Sequence, residues 1–204
     1  RIDWQELPHV LDVEEAMKPG APLVNEYQGQ NWFIYGGHDH QKIRFGDVEA
    51  GFKAADLVLE ERYEMSPIEH APVETNGCIA APGEDGRFTV YTSTQGLFFS
   101  LDNTAEVLKL PSNKLHFIGG TVGGGFGGKV DTVVEPVAVL AAMLTGRPCR
   151  FAFGREEEMQ VSSPRGAERL YIKDGVMRDG RIVAREVRHY HDAGAYARLT
   201  TYGT

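Results

Sequence analysis

The residues with the clearest chemical potential form a glycine-rich segment, Gly119–Lys129, which holds seven of the chain's 24 glycines. Without side chains, its backbone N–H groups can approach a ligand closely. A Walker-type phosphate loop would need a serine or threonine after the lysine, but Val130 stands there. A dinucleotide fingerprint fits the glycine spacing, yet residues 145–154 contain no acid to bind a ribose hydroxyl. A mobile surface turn is the third interpretation, although Phe126, which we expect to be buried, is unusual in a flexible run.

Two histidine pairs have a spacing that could bind a metal, His38 with His40 and His189 with His191. Residues two apart lie on the same face of an extended strand, and imidazole is a common metal ligand. No third ligand is evident from the sequence. We therefore expect ordinary hydrogen-bonded or exposed histidines and no metal ligand in this chain.

Two acids and two cysteines also need an interpretation. Glu74 is expected within a strand and Glu135 at the start of a helix, where the helix dipole favours an acid, so both are predicted to be structural. Cys78 and Cys149 form no Cys-x-x-Cys motif. This arrangement predicts buried, inert thiols and excludes a cysteine-ligated zinc or iron–sulfur site.

The composition is that of a folded protein, with 204 residues that are 42% hydrophobic and 25% charged. Acids outnumber bases by 29 to 21, which argues against nucleic acid or an anionic membrane as the main partner. No run approaches 18 apolar residues and no export signal is recognisable, so we expect a cytoplasmic location. A start without methionine and an end without a cap predict a piece of a longer protein.

Hydrophobic periodicity and turn residues predict the elements that must position these groups. Strands are predicted at 57–63, 88–92, 115–118, 150–153, 168–173 and 182–190, and helices at 97–108 and 133–144. The fold class is therefore α+β, a mixed β-sheet with helices packed on it. Residues 1–41, rich in proline and glycine, are predicted to be an extended linker, and 42–204 a domain that is incomplete at its C-terminal end.

Several motifs occur in an order that identifies a family. The central one is Gly123–Lys129, preceded by Tyr91–Gln95. Further blocks agree in order, namely Leu7–Val10, Glu69–Thr75, Ala141–Pro148 and Arg155–Met159. Together they resemble the molybdenum-cofactor subunit of the xanthine dehydrogenase and aldehyde oxidase family, and they span nearly the whole chain. The resemblance implies that 42–204 is part of the first molybdenum-cofactor-binding domain, with the block Glu69–Thr75 carrying the family's histidine and glutamate pair on the first core strand.

The resemblance also implies roles for individual residues. Gln95 matches a glutamine whose amide hydrogen-bonds to the apical oxo group of the metal, which makes it a candidate for both catalysis and cofactor binding. Phe126 and Gly127 match the pair beside the metal. Gly124 and Gly125 are expected to bind the cofactor with them. In this family the metal takes no histidine ligand.

Two positions bear on the substrate. Arg165 matches an arginine that faces the substrate in purine-oxidising members and would stabilise developing negative charge, so it is a candidate catalytic residue. Val130 stands where those members carry a substrate-binding glutamate, which predicts that xanthine is a poor substrate. The carboxylate that acts as general base in this family lies outside this chain.

The implied function is that of a fragment or short subunit of a molybdenum hydroxylase, which uses water to hydroxylate an aldehyde or an N-heterocycle. The implied cofactor is molybdopterin, plain or in its cytosine dinucleotide form, with 2Fe-2S clusters and FAD on partner domains or subunits. The expected partners are the rest of the molybdenum subunit, an iron–sulfur subunit, a flavin subunit and a small-molecule substrate, with no nucleic acid and no membrane. The isolated chain is predicted to be inactive. The alternative is a non-catalytic accessory or assembly domain that binds no molybdenum.

Overall fold

The computed structural model describes residues 2–24, 29–32 and 42–194. Within these ranges the helices are α1 (Val13–Ala16), α2 (Val48–Ala54), α3 (Leu97–Leu108), α4 (Glu135–Thr145) and α5 (Arg155–Val161). The strands are β1 (Leu57–Met65), β2 (Gly77–Pro82), β3 (Phe88–Thr92), β4 (Leu115–Gly119), β5 (Cys149–Ala152), β6 (Ala167–Val176) and β7 (Ile182–Asp192). In this part of the chain, no helix is long and apolar enough to cross a membrane.

The chain divides into two compact units. One is continuous, Ile68–Arg165, and the other combines Arg1–Pro67 with Gly166–Thr204. The domain boundary predicted at residue 41 falls among residues outside the described ranges and stays a prediction.

The continuous unit contains a four-stranded sheet in the order β4-β3-β2-β5. Strands β3 and β4 run parallel, whereas the other neighbours are antiparallel, so the sheet is mixed as predicted. Parallel neighbours need a crossover connection, and α3 supplies it between β3 and β4. The core of this unit includes Ala80, Val90, Phe117, Ala138, Val139 and Ala142.

Helix α3 begins and ends at the predicted residues. Its apolar positions recur at helical spacing and pack on the core, namely Leu97, Leu101, Ala105 and Leu108. Lys109 closes the helix in the left-handed conformation, with φ of 54°, and Pro111 follows. The local signal for the C-terminal end is strong, because a left-handed cap and a nearby proline cannot continue a helix.

Helix α4 begins at Glu135, two residues later than predicted. Val134 is the N-cap and Pro136 occupies the first turn, where the missing proline N–H costs no hydrogen bond. Glu135 has the structural role that we predicted. Its buried carboxylate accepts hydrogen bonds from the Thr92 hydroxyl at 2.7 Å and the Val133 N–H at 3.2 Å.

The discontinuous unit contains a three-stranded antiparallel sheet in the order β1-β6-β7. Arg169 of β6 forms ion pairs with Asp12, Glu14 and Glu64. Asp12 is also the N-cap of α1, because its carboxylate accepts the N–H groups of Glu14 and Glu15. These ion pairs thus attach the part of the predicted linker that contains Asp12 and Glu14 to the sheet.

Candidate cofactor site

The glycine-rich segment leaves β4 at Gly119 and enters α4 at Glu135, so it is the predicted connection from strand to loop to helix. Its backbone is left-handed at Gly124, Phe126 and Gly127, with φ of 97°, 53° and 100°. The expectation that Phe126 is buried is wrong, since the residue is 75% exposed. A bulky residue in the left-handed region is held there by its surroundings, and the hydrogen bonds of the loop supply that restraint.

Gln95 lies between β3 and α3 and is hydrogen-bonded to the loop through both its backbone and its side chain. Its side-chain oxygen Oε1 accepts the N–H groups of Gly127 at 3.0 Å and Lys129 at 3.2 Å, and its own N–H donates to the Lys129 carbonyl at 2.8 Å. A backbone N–H can only donate, so these bonds decide which end of the amide is the oxygen. The NH₂ group of this exposed side chain is therefore left to donate to a ligand.

Glu74 holds the other end of the loop. Its Oε2 atom accepts hydrogen bonds from the Gly123 N–H at 2.7 Å, the Ser93 hydroxyl at 2.5 Å and the Lys129 ammonium at 2.8 Å. The Lys129 side chain is fully buried, whereas that of Glu74 is 41% exposed. The ammonium, followed by the Ser93 hydroxyl, lowers the pKa of Glu74 to about 2. The carboxylate is therefore charged at neutral pH and fixes the loop at both Gly123 and Lys129.

Three loop glycines are required by close approach, among them Gly123, where a Cβ atom would lie 2.6 Å from that of Glu74. A Cβ atom on Gly125 would lie 2.3 Å from Oε1 of Gln95, and one on Gly128 would lie 2.7 Å from Nδ1 of His70. All three distances are too short for any side chain to fit without displacing these neighbours. Gln95 and His70 thus pack directly against the loop backbone.

The loop offers groups that suit an anionic cofactor. Within the described ranges, the N–H groups of Gly124, Gly125 and Phe126 have no hydrogen-bond acceptor. In the same part of the chain, Nδ1 of the His70 ring is buried without a partner. Successive free N–H groups in a left-handed turn form a concave anion-binding surface. Together with the Gln95 amide, these donors fit a molybdopterin, which carries phosphate and oxygen groups.

Arg165 lies on a short bridge with Ile68 and is half-buried. Its Nε atom is buried without a partner among the residues that the structure describes. The neighbouring Ser163 hydroxyl donates to Asp131 at 2.6 Å, at the C-terminal end of the loop. This hydrogen bond ties the segment that carries Arg165 to the segment that carries the other predicted site residues.

Sequence reasoning predicted that Glu74 is structural, but it missed that Glu74 holds the glycine loop and that Lys129 is its partner. Glu74 lies in a bend, not in a strand as predicted, and Glu69 and His70 also lie outside the strands. The predicted strand fails because this segment gives its hydrogen bonds to the loop, as when the Glu74 N–H donates to the Gly123 carbonyl at 3.2 Å. The available signal was that Glu74 and Lys129 carry opposite charges and lie in two of the motifs that identify the family.

The remaining candidates have separate outcomes. His38 and His40 lie outside the described residues. His189 and His191 lie on β7, and the structure places Glu168 of β6 beside them, so a third candidate ligand exists after all. Cys78 is buried, and burial raises the pKa of its thiol to about 12, whereas Cys149 is only half-buried. Both cysteines are free.

The profile of the family described as "molybdopterin cofactor-binding domain" matches residues 30–203. The chain belongs to this family. It is thus a domain of the molybdenum hydroxylase family, as the motifs predicted. It is 33% identical over 201 residues to a probable xanthine dehydrogenase subunit of Bacillus subtilis, a match that covers 98% of this chain and 26% of the relative. It is also 33% identical over 196 residues to the nicotinate dehydrogenase large molybdopterin subunit of Eubacterium barkeri, covering 96% of this chain and 44% of that subunit.

Solved structures agree with this assignment. The aldehyde oxidoreductase from Desulfovibrio desulfuricans matches with a TM-score of 0.75 at 25% identity, covering 93% of this chain and 20% of that protein. The CO dehydrogenase from Oligotropha carboxidovorans matches with a TM-score of 0.71 at 26% identity, covering 93% of this chain and 25% of that protein. The chain therefore spans less than half the length of each of these four relatives.

Proposed function

We propose that this domain forms one side of a molybdopterin pocket in a molybdenum hydroxylase. The cofactor-binding residues are Gln95, Gly124, Gly125, Phe126 and Gly127. The observation that carries the proposal is the orientation of Gln95, whose amide oxygen is occupied by two loop N–H groups so that its NH₂ group is presented outward. Packing alone does not require an exposed amide to be fixed in one orientation.

When bound, the molybdenum cofactor supplies the redox chemistry that transfers oxygen from water to a substrate carbon. The chain's own residues bind and orient it. The Gln95 NH₂ group donates to a cofactor oxygen, and the free N–H groups of Gly124, Gly125 and Phe126 bind its anionic groups. Glu74 and Lys129 keep the loop in the conformation that presents these donors.

The substrate class is an aldehyde or an electron-poor N-heterocycle, as the names of the relatives suggest. Arg165 is the candidate that stabilises negative charge on the substrate, because its guanidinium lacks a partner at the buried Nε atom. Val130 offers no hydrogen-bonding side chain next to the loop, so we expect xanthine to be a poor substrate. Either the plain or the cytosine dinucleotide form of molybdopterin is compatible with these donors.

The complete enzyme requires further parts. We expect the rest of the molybdenum subunit, with the general-base carboxylate, and iron–sulfur and flavin components that carry 2Fe-2S clusters and FAD. The assembly is expected in the cytoplasm. The isolated chain should show no turnover, because a complete pocket and the electron pathway need these other parts.

The decisive experiment compares the complete enzyme with a Gln95→Leu variant. We expect wild-type protein to contain stoichiometric molybdenum by plasma mass spectrometry and to oxidise an aldehyde or nicotinate faster than xanthine. Loss of one oriented donor should lower turnover about 100-fold. The control is Gln160→Leu, because Gln160 is an exposed glutamine on α5 and should tolerate the change.

Two outcomes would contradict the proposal. Full turnover by Gln95→Leu would show that the Gln95 amide has no role in the site. Wild-type protein without molybdenum in the complete assembly would favour the accessory or assembly domain.

A further inference from the structure

Three side chains that could bind a metal converge on the three-stranded sheet. The register pairs Glu168 of β6 directly with His191 of β7, and His189 lies two residues before His191 on the same face. The Glu168 carboxylate is 3.7 Å from Nε2 of His189 through one oxygen and 3.7 Å from Nδ1 of His191 through the other. One ligand atom from each residue lies within 4.8 Å of the other two. Across the described ranges, no other trio of His, Cys, Asp or Glu converges in this way.

We propose that Glu168, His189 and His191 bind one divalent transition-metal cation of the zinc class. Three ligands at zinc-bond lengths in tetrahedral geometry would be about 3.4 Å apart. The three ligand atoms, one from each residue, lie within 4.8 Å of one another, so the most distant pair must approach by up to about 1.4 Å to reach that spacing. Rotation of the imidazole rings closes the rest, while the paired strands hold the backbone fixed.

The ligand set selects the kind of metal. Two imidazoles and one carboxylate suit Zn²⁺ and neighbouring divalent ions, whereas Ca²⁺ and Mg²⁺ prefer all-oxygen sites and Cu⁺ prefers sulfur. The Glu168 and His191 side chains are each 19% exposed and that of His189 is 36% exposed. The site is therefore sheltered enough for strong electrostatic attraction and open enough for the ion to enter. Three protein ligands leave the fourth position to water.

The proposed metal site and the cofactor loop belong to different compact units of the chain. The trio belongs to the discontinuous unit, whereas Gln95 and the glycine loop belong to the continuous one. The inference does not rest on the proposed function, because it uses none of the residues assigned to molybdopterin.

The test is zinc binding by the complete protein, measured by competition with a chromogenic chelator. We expect wild-type protein to bind one more Zn²⁺ than the triple variant Glu168→Gln, His189→Ala, His191→Ala. Each single substitution should weaken zinc affinity about 100-fold. His116→Ala is the matched control, because His116 is an exposed histidine on β4 outside the trio. Equal zinc affinity in wild type and triple variant would overturn the site.

A second measurement needs no variant and so is independent of folding. Wild-type protein is treated with diethyl pyrocarbonate with and without saturating Zn²⁺, and histidine labelling is read by mass spectrometry. Zinc should protect His189 and leave His116 labelled to the same extent. Unchanged labelling of His189 would mean that the histidines only form ion pairs with Glu168, and would overturn the proposal.

Discussion

The two compact units each contain a charge network that joins distant parts of the chain, but the networks differ in burial. In the continuous unit, the Lys129 ammonium is fully buried and meets one carboxylate, that of Glu74. In the discontinuous unit, the Arg169 side chain is 15% exposed and meets three carboxylates, of which those of Asp12 and Glu64 are 41% and 53% exposed. A fully buried cation cannot exchange its partner for water, whereas a partly exposed cation with three carboxylates can exchange one of them more easily. The first network therefore sets the conformation of a loop, and the second attaches a segment to a surface.

The largest effect should come from a change that moves Gln95 without touching either network. In Gly125→Ala the new Cβ would lie 2.3 Å from the Gln95 oxygen, so the amide must shift. Misplacement by about 1 Å can cost about 100-fold in rate, and we expect that loss in the turnover of the complete enzyme. Gly120→Ala is the control, since a Cβ there meets nothing within 4 Å. Similar turnover in the two variants would mean that the close packing around Gln95 has no role in function.

The next effect concerns the buried pair. Glu74→Gln leaves the Lys129 ammonium buried without a carboxylate. Because Glu74 itself is partly exposed, we expect a loss of about 2 kcal/mol in unfolding free energy, below the cost of breaking a fully buried pair. Denaturant unfolding measures it, with Glu84→Gln, an exposed acid in a turn, as the control. A loss no larger than that of the control would show that water reaches the ammonium.

The pH dependence of folding stability should test the buried pair of Glu74 and Lys129 in a second way. The pKa of Glu74 lies at about 2 in the folded protein against an ordinary value of 4.5. A lowered pKa favours the folded state when the group is charged, so this contribution is complete above pH 4.5 and is lost as the pH falls towards 2. Wild-type stability should therefore fall more steeply than that of Glu74→Gln in this window. Parallel curves from acid unfolding would contradict the assigned shift.

The smallest effect should come from the exposed network. Asp12→Asn removes one of the three charges beside Arg169 but keeps an oxygen that can accept the N–H groups at the start of α1. Hydrogen bonds from Arg169 hold the pKa of Asp12 well below its usual range, yet the Asp12 side chain is 41% exposed. We expect a smaller loss of stability than in Glu74→Gln, and one that shrinks in high salt. A loss that persists unchanged in high salt would place this network in the same class as the buried pair.

Elements with strong local signals were predicted well. The bounds of α3 and β3 agree with the structure, because apolar spacing and the proline at 111 act within a few residues. The start of α4 and the strand expected around Glu74 were less successful. In both places the conformation depends on hydrogen bonds to residues far away in the sequence, such as the one between Gly123 and Glu74.

The sequence by itself determined the family, helices α3 and α4 and six of the seven strands that the structure describes, and it indicated Gln95 and the glycine loop as the candidate site. Only the tertiary structure decided that Glu74 and Lys129, 55 residues apart, hold that loop, and that Glu168 lies beside His189 and His191. The physical reason is the sequence distance over which each kind of interaction acts. Turn and helix preferences act between neighbours, whereas ion pairs and metal ligands act through space once the strands have paired and the side chains share a face.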